Sequence, residues 1–142
     1  MKHFIILVSI TIFLSSCTSE PKEYNFKASI KNESSVLVTI TGYDSANNLK
    51  INEIINPNET KLNCEGLSEF FQGYICGGDS LIFKFPNGKG YICAGRITNN
   101  QPELCFPNKT PFGNDPSFVD LGNRNYQFII TEEDYNNAFD LP

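Results

Sequence analysis

Five cysteines, Cys17, Cys64, Cys76, Cys93 and Cys105, carry most of the chemistry open to this sequence. Cys76 and Cys93 sit in two nearly repeated stretches, GYICGG at 73–78 and GYICAG at 90–95. These could be a paired reactive site or two pieces of a disulfide-stapled β framework. A reactive thiol needs an activating neighbour such as a histidine or a C-x-x-C partner, and neither stretch has one. The four internal cysteines are 12, 17 and 12 residues apart, too wide for a zinc knuckle or a thioredoxin-type pair. Structural disulfides are therefore expected, ahead of free buried thiols and of a metal site; no metal and no cofactor is expected.

Other side chains that could do chemistry are scarce. His3 is the only histidine and lies just before the N-terminal apolar run, in the segment that reads as a cleaved signal, so Ser-His-Asp and Cys-His catalysis and histidine metal ligation have no residue to use beyond it. Paired carboxylates would remain for glycoside hydrolysis, but the sixteen acidic residues are scattered. The expectation is a non-enzyme. Nucleic acid is excluded on charge: the net charge is −5, and the two arginines, Arg96 and Arg124, form no basic stripe.

The N-terminus supplies an address. Lys2 and His3 precede an apolar run from Phe4 to Leu14, which is too short for a comfortable bilayer span and reads as an export signal. Its end, Leu14-Ser15-Ser16-Cys17, resembles the lipobox of bacterial lipoproteins. That resemblance implies cleavage before Cys17, acylation of Cys17 (palmitate among the chains) and anchoring in the cell envelope, with the outer membrane expected. The domain organisation that follows is a signal peptide over 1–16, an acylated N-terminus and polar tether over 17–23, and one domain over 24–142. Export places the internal cysteines in an oxidising compartment.

The elements that must position these residues have a period of two. Phe26, Ala28 and Ile30 alternate with polar residues, as do Val36, Val38 and Ile40, and Asn32-Glu33-Ser34-Ser35 between them predicts a hairpin over 24–43. A third strand is expected over Leu49–Ile55, closed by Asn56-Pro57-Asn58. In DSLIFKFPNGKGYIC, Asn87-Gly88 predicts a two-residue hairpin turn. That register sets Phe83 opposite Ile92 and Ile82 opposite Cys93, and gathers Leu81, Phe83, Phe85 and Ile92 on a core face. Cys76 is then not the neighbour of Cys93, which favours Cys64–Cys76 and Cys93–Cys105 over Cys76–Cys93. Tyr126, Phe128 and Ile130 mark a last strand, and Thr131 with three following acids caps a helix reaching Phe139.

The expected class is all-β: an antiparallel, Ig-like β-sandwich of about seven short strands with a short C-terminal helix, a small barrel being the alternative. Residues 99–117 hold four of the eight prolines and have no period. With Phe106, Lys109 and Phe112, this stretch is the expected binding loop. The alternative is a loop packed down by its cysteine and prolines.

Three Asn-x-Ser/Thr triplets start at Asn32, Asn58 and Asn108. Asp44-Ser45-Ala46 and Asp79-Ser80-Leu81 resemble Asp-Ser/Thr-aliphatic O-glycosylation sites of some envelope bacteria, although Asp-Ser at a turn or strand start is the simpler reading. IKNESSVLVTITGY, NPNET and YQFIITEEDYNNA give the body a resemblance to small envelope lipoproteins with a β-sandwich body. The expected function is a lipid-anchored, non-catalytic envelope protein that meets the membrane through Cys17 and has a binding or structural role toward a protein or glycan. The alternative is a periplasmic enzyme inhibitor or accessory subunit acting through the 99–117 loop.

Overall fold

A computed structural model describes residues 21–73, 78–95, 104–113 and 116–142. Its strands are β1 (Tyr24–Asn32), β2 (Val38–Tyr43), β3 (Leu49–Ile55), β4 (Thr60–Ser68), β5 (Ser80–Lys84), β6 (Lys89–Ala94), β7 (Phe118–Asp120), β8 (Asn125–Ile130) and β9 (Phe139–Asp140). One short helix, α1 (Glu132–Asn136), precedes β9. The strands form two sheets, β4-β1-β8-β7 and β3-β2-β5-β6-β9. The fold is mostly β and sandwich-like, as expected. Cys17, Cys76, the signal segment and part of the 99–117 stretch lie outside the described residues.

The core lies between the sheets and is largely aromatic. Phe83 of β5 meets Phe128 of β8 across the gap at 6.0 Å between ring centroids. Ile30, Val38, Ile40, Ile55, Leu81, Phe83 and Phe128 are fully buried. The period-two pattern therefore identified the buried faces of β1, β2 and β8.

Several expectations need correction. Residues 24–43 are not a hairpin, since β1 and β2 belong to opposite sheets. The chain crosses between sheets because Asn32, fully buried, organises the corner. Its amide nitrogen donates to Val36 O (2.8 Å) and Ile55 O (3.0 Å), and its oxygen accepts from Ser34 N (3.0 Å) and Ser34 Oγ (2.7 Å). That burial also seals the first Asn-x-Ser triplet. β1 instead pairs antiparallel with β4 and parallel with β8, so the sandwich is not wholly antiparallel.

The β5–β6 hairpin has a different register: Ile82 faces Ile92 and Leu81 faces Cys93. Pro86 is the cause. Its fixed φ suits the first central position of a turn in which Gly88 N donates to Phe85 O (3.1 Å), and Gly88, at φ 83°, then closes a three-residue loop. The one-residue change puts Tyr91 and Cys93 on the core face and leaves Ile92 on the other.

The helix stops at Asn136, short of Phe139, because the chain turns to add β9 beside β6. Thr131 and Asp134 form the capping box at its start. Strands β4, β7 and β9, none of them expected, bring the count among the described residues to nine, beyond the expected seven or so.

Candidate functional site

The Pro-rich stretch is held down at several points. Cys93 and Cys105 form a disulfide, matching the favoured pairing. Cys64 is also disulfide-bonded, and its expected partner, Cys76, lies outside the described residues. The Cys93–Cys105 bridge delivers Phe106 into the core, where it is 5 % exposed and stacks on Tyr91 at 3.9 Å. It also meets Phe83 at 5.1 Å and Phe128 at 5.3 Å. Phe106 thus plugs the space between the sheets.

Lys109 is equally engaged. Its ammonium donates to Ile129 O (2.6 Å) and Asp134 Oδ2 (2.5 Å), and it lies 5.1 Å from the ring centroids of both Phe106 and Phe128. Phe112 is half-buried and bridges to Gly73. A β-carbon on Gly73 would stand 2.6 Å from Gly113 N, so glycine is required for this approach. Of the three residues expected in a binding loop, Phe106 and Lys109 are structural and Phe112 lies against the body.

A cleft of about 290 Å³ opens between this loop and α1, lined by Tyr91, Phe106, Lys109 and Asp134 among others. Tyr91 hydroxyl donates to Asp134 O at 2.7 Å. Burial first, then the negative charges of Asp134 and Glu133, push its phenol up to about 12. A phenol so held is a poor proton donor or acceptor near neutrality, and the cleft reads as a clamp.

A larger hollow, about 500 Å³, lies on the outer face of the four-stranded sheet. Strand alternation aims Lys27 and Ser29 of β1, Asn63 and Glu65 of β4, and Asn125 and Gln127 of β8 at it, with Leu121 at its margin. Gln127 Nε2 donates to Ser29 Oγ at 3.3 Å, joining β8 to β1 across 98 residues. Lys27 Nζ pairs with Glu65 Oε1 at 2.8 Å, and Asn25 donates to Glu65 Oε2 at 3.2 Å. The hydrogen bonds from Lys27 and then Asn25 hold the Glu65 carboxyl below its ordinary range, so it stays ionised and unsuited to general-acid work.

A bulge shapes one wall. The β1–β4 register slips between Ala28 and Ile30, and Leu62 takes φ 58°. A left-handed leucine is strained by about 1–3 kcal/mol and marks a place where the ladder is bent on purpose or by necessity. Here it bends β4 beside Asn63 and Ser29. These polar residues are ordinary outward strand positions in the sequence; their only early signal was the polar phase of each alternation.

The two O-glycosylation-like sites differ in presentation. Ser45 is exposed in the turn after β2, whereas Ser80 is half-buried in β5 opposite Tyr43 and Ala94. Among the described residues, no three His, Cys, Asp or Glu side chains are grouped to hold a metal ion. No family model matches the chain, and no curated protein and no solved structure is significantly similar to it.

Proposed function

We propose that this chain is a lipid-anchored, non-catalytic binding module of the cell envelope, held through Cys17 at the outer membrane, with the hollow on the four-stranded sheet as its ligand-facing surface. The observation that carries this reading is the polar part of the hollow's lining: three side-chain amides, the hydroxyls of Ser29 and Thr60 and one internally compensated ion pair, set beside Leu121 and Tyr126. Such a set offers donors and acceptors to a neutral, hydroxyl-rich ligand and no net field to a charged one. A short neutral glycan fits that chemistry and the hollow's size. The reading treats the sandwich as Ig-like, on the strength of two facing sheets whose connections cross between them.

The hollow is preferred to the 99–117 loop as the contact surface because, among the loop's described residues, Phe106 is buried in the core and Lys109 is paired with Asp134. Titration of the isotope-labelled protein with maltotriose, cellotriose and chitotriose tests the glycan reading. Amide shifts should cluster on Ser29, Asn63, Asn125 and Gln127. Removing one hydrogen bond by Gln127→Ala or Asn63→Ala should weaken binding by about 2- to 10-fold. Absence of shifts with all three sugars contradicts the assignment of the hollow.

A further inference from the structure

The four most exposed large apolar side chains among the described residues are Leu67 (70 %), Leu121 (56 %), Leu49 (54 %) and Phe70 (54 %). All four lie at one end of the sandwich. Leu67 pairs with Asn25 at the start of β1, and Phe70 follows the end of β4 at that level. Leu121 bonds back to Asn125 O at the start of β8, next to Arg124, whose guanidinium stands 4.2 Å from the Tyr24 ring centroid. Leu49 opens β3, whose other end, Ile55, accepts from Asn32 at the far end of β1. Acids are found at both ends: Glu33, Glu59, Glu132 and Glu133 at the opposite one, and Glu23, Asp44, Glu69, Asp79 and Asp120 at this one.

This apolar end is the one where the chain enters the domain. Residues 18–23 separate Cys17 from β1, and six residues reach at most about 20 Å when fully extended. If Cys17 is acylated, the tether keeps Leu49, Leu67, Phe70 and Leu121 near the bilayer. Tyr24, flanked by Arg124 and by Lys22 at 5.8 Å, is an aromatic of the amphipathic kind favoured at the lipid–water boundary. Glu23 and Glu69 accompany these cations, so attraction to anionic lipid cannot be the driving term; burial of the apolar side chains in the interface is.

We infer that the entry end of the sandwich, centred on Leu67, Phe70 and Leu121, is a membrane-docking surface that holds the domain against the lipid in which Cys17 is anchored. The inference rests on the proposed acylation.

The chain has no tryptophan, so single insertions report cleanly. Leu67→Trp, Leu121→Trp and, at the opposite end, Leu37→Trp are each expressed with the full leader, purified from membranes, and reconstituted in phosphatidylcholine vesicles with brominated acyl chains. Flotation with the vesicles reports anchoring, and Trp emission reports docking. The expected result is flotation of all three proteins, with blue-shifted, bromine-quenched emission at positions 67 and 121 and solvent-like emission at 37. Flotation with solvent-like emission at 67 and 121 overturns the docking inference and leaves anchoring standing. A blue shift that appears without lipid and fades on dilution assigns the surface to a second copy of the chain and also overturns it. Failure to float removes the anchor and the inference with it.

Discussion

Lys109 Nζ lies 2.5 Å from Asp134 Oδ2, with the two side chains only 18 % and 13 % exposed. The same carboxylate oxygen accepts from Thr131 N at 2.6 Å. One carboxylate therefore serves both as helix cap and as counter-ion for the Pro-rich loop. Lys109→Met keeps the aliphatic stem and removes the charge, leaving Asp134 nearly buried with a lost partner. The expected cost is about 2–4 kcal/mol, the low end reflecting residual solvent contact. Urea unfolding should show a lower midpoint with an unchanged slope.

Asn32 is a second fixed point. Its amide satisfies Val36 O and Ile55 O in the corner that takes the chain from one sheet to the other. Asn32→Ala takes the side-chain partner from Ile55 O and from Ser34 N, while Ser34 Oγ can still donate to Val36 O (3.0 Å), and the expected loss is roughly 2–4 kcal/mol from the unmet buried groups. Asn32→Asp cannot donate to either carbonyl and should rescue little. Thermal melts of both variants check this.

The disulfide between Cys93 and Cys105 closes a loop with a separation of 12 residues. By the loop-entropy model, replacing both cysteines with alanine should cost roughly 3 kcal/mol. Because the bridge also positions Phe106, near-ultraviolet circular dichroism should weaken in the folded variant. Non-reducing peptide mapping should recover the 93–105 linkage.

Asp44 gives a pH-dependent signature. Hydrogen bonds from the Asn48 side chain and backbone, then from Lys50, lower its carboxyl to about 2 from an ordinary 3.8. A depressed folded value means that the stabilisation is present at neutral pH and is lost as pH falls from the ordinary value through about 2. Asp44→Asn should therefore differ from the parent in unfolding midpoint at pH 7 and converge with it in that acidic window. Carbon-detected NMR titration of the Asp44 carboxyl should give a midpoint near 2; an ordinary carboxylate midpoint contradicts the turn geometry.

Much of the sandwich was legible because β1, β2 and β8 alternate cleanly, and Leu49–Ile55, closed by Asn56-Pro57-Asn58, matches its expected strand end to end. The pairing of those strands was not legible, since a period of two says which face is buried and nothing about which sheet receives it. Asn32 looked like a turn residue and is a buried corner. Asn87-Gly88 looked like a two-residue turn, and Pro86 made it three. Strand β4 was missed because the bulge at Leu62 breaks its alternation between Lys61 and Cys64. The hollow was hidden for a related reason: Ser29 and Gln127 are unremarkable apart, and only the parallel pairing of β1 with β8 sets them side by side.

Where the chain is held decides whether the rest follows, and the intact mass of the protein extracted from the membranes of its producing cell measures that directly. The mature chain should begin at Cys17 and carry the added mass of a diacylglyceryl group and an amide-linked acyl chain, and Cys17→Ser should leave it unlipidated and extractable without detergent. A chain that begins at another residue, or a Cys17 without lipid in the membrane-extracted protein, contradicts the anchor and the docking built on it.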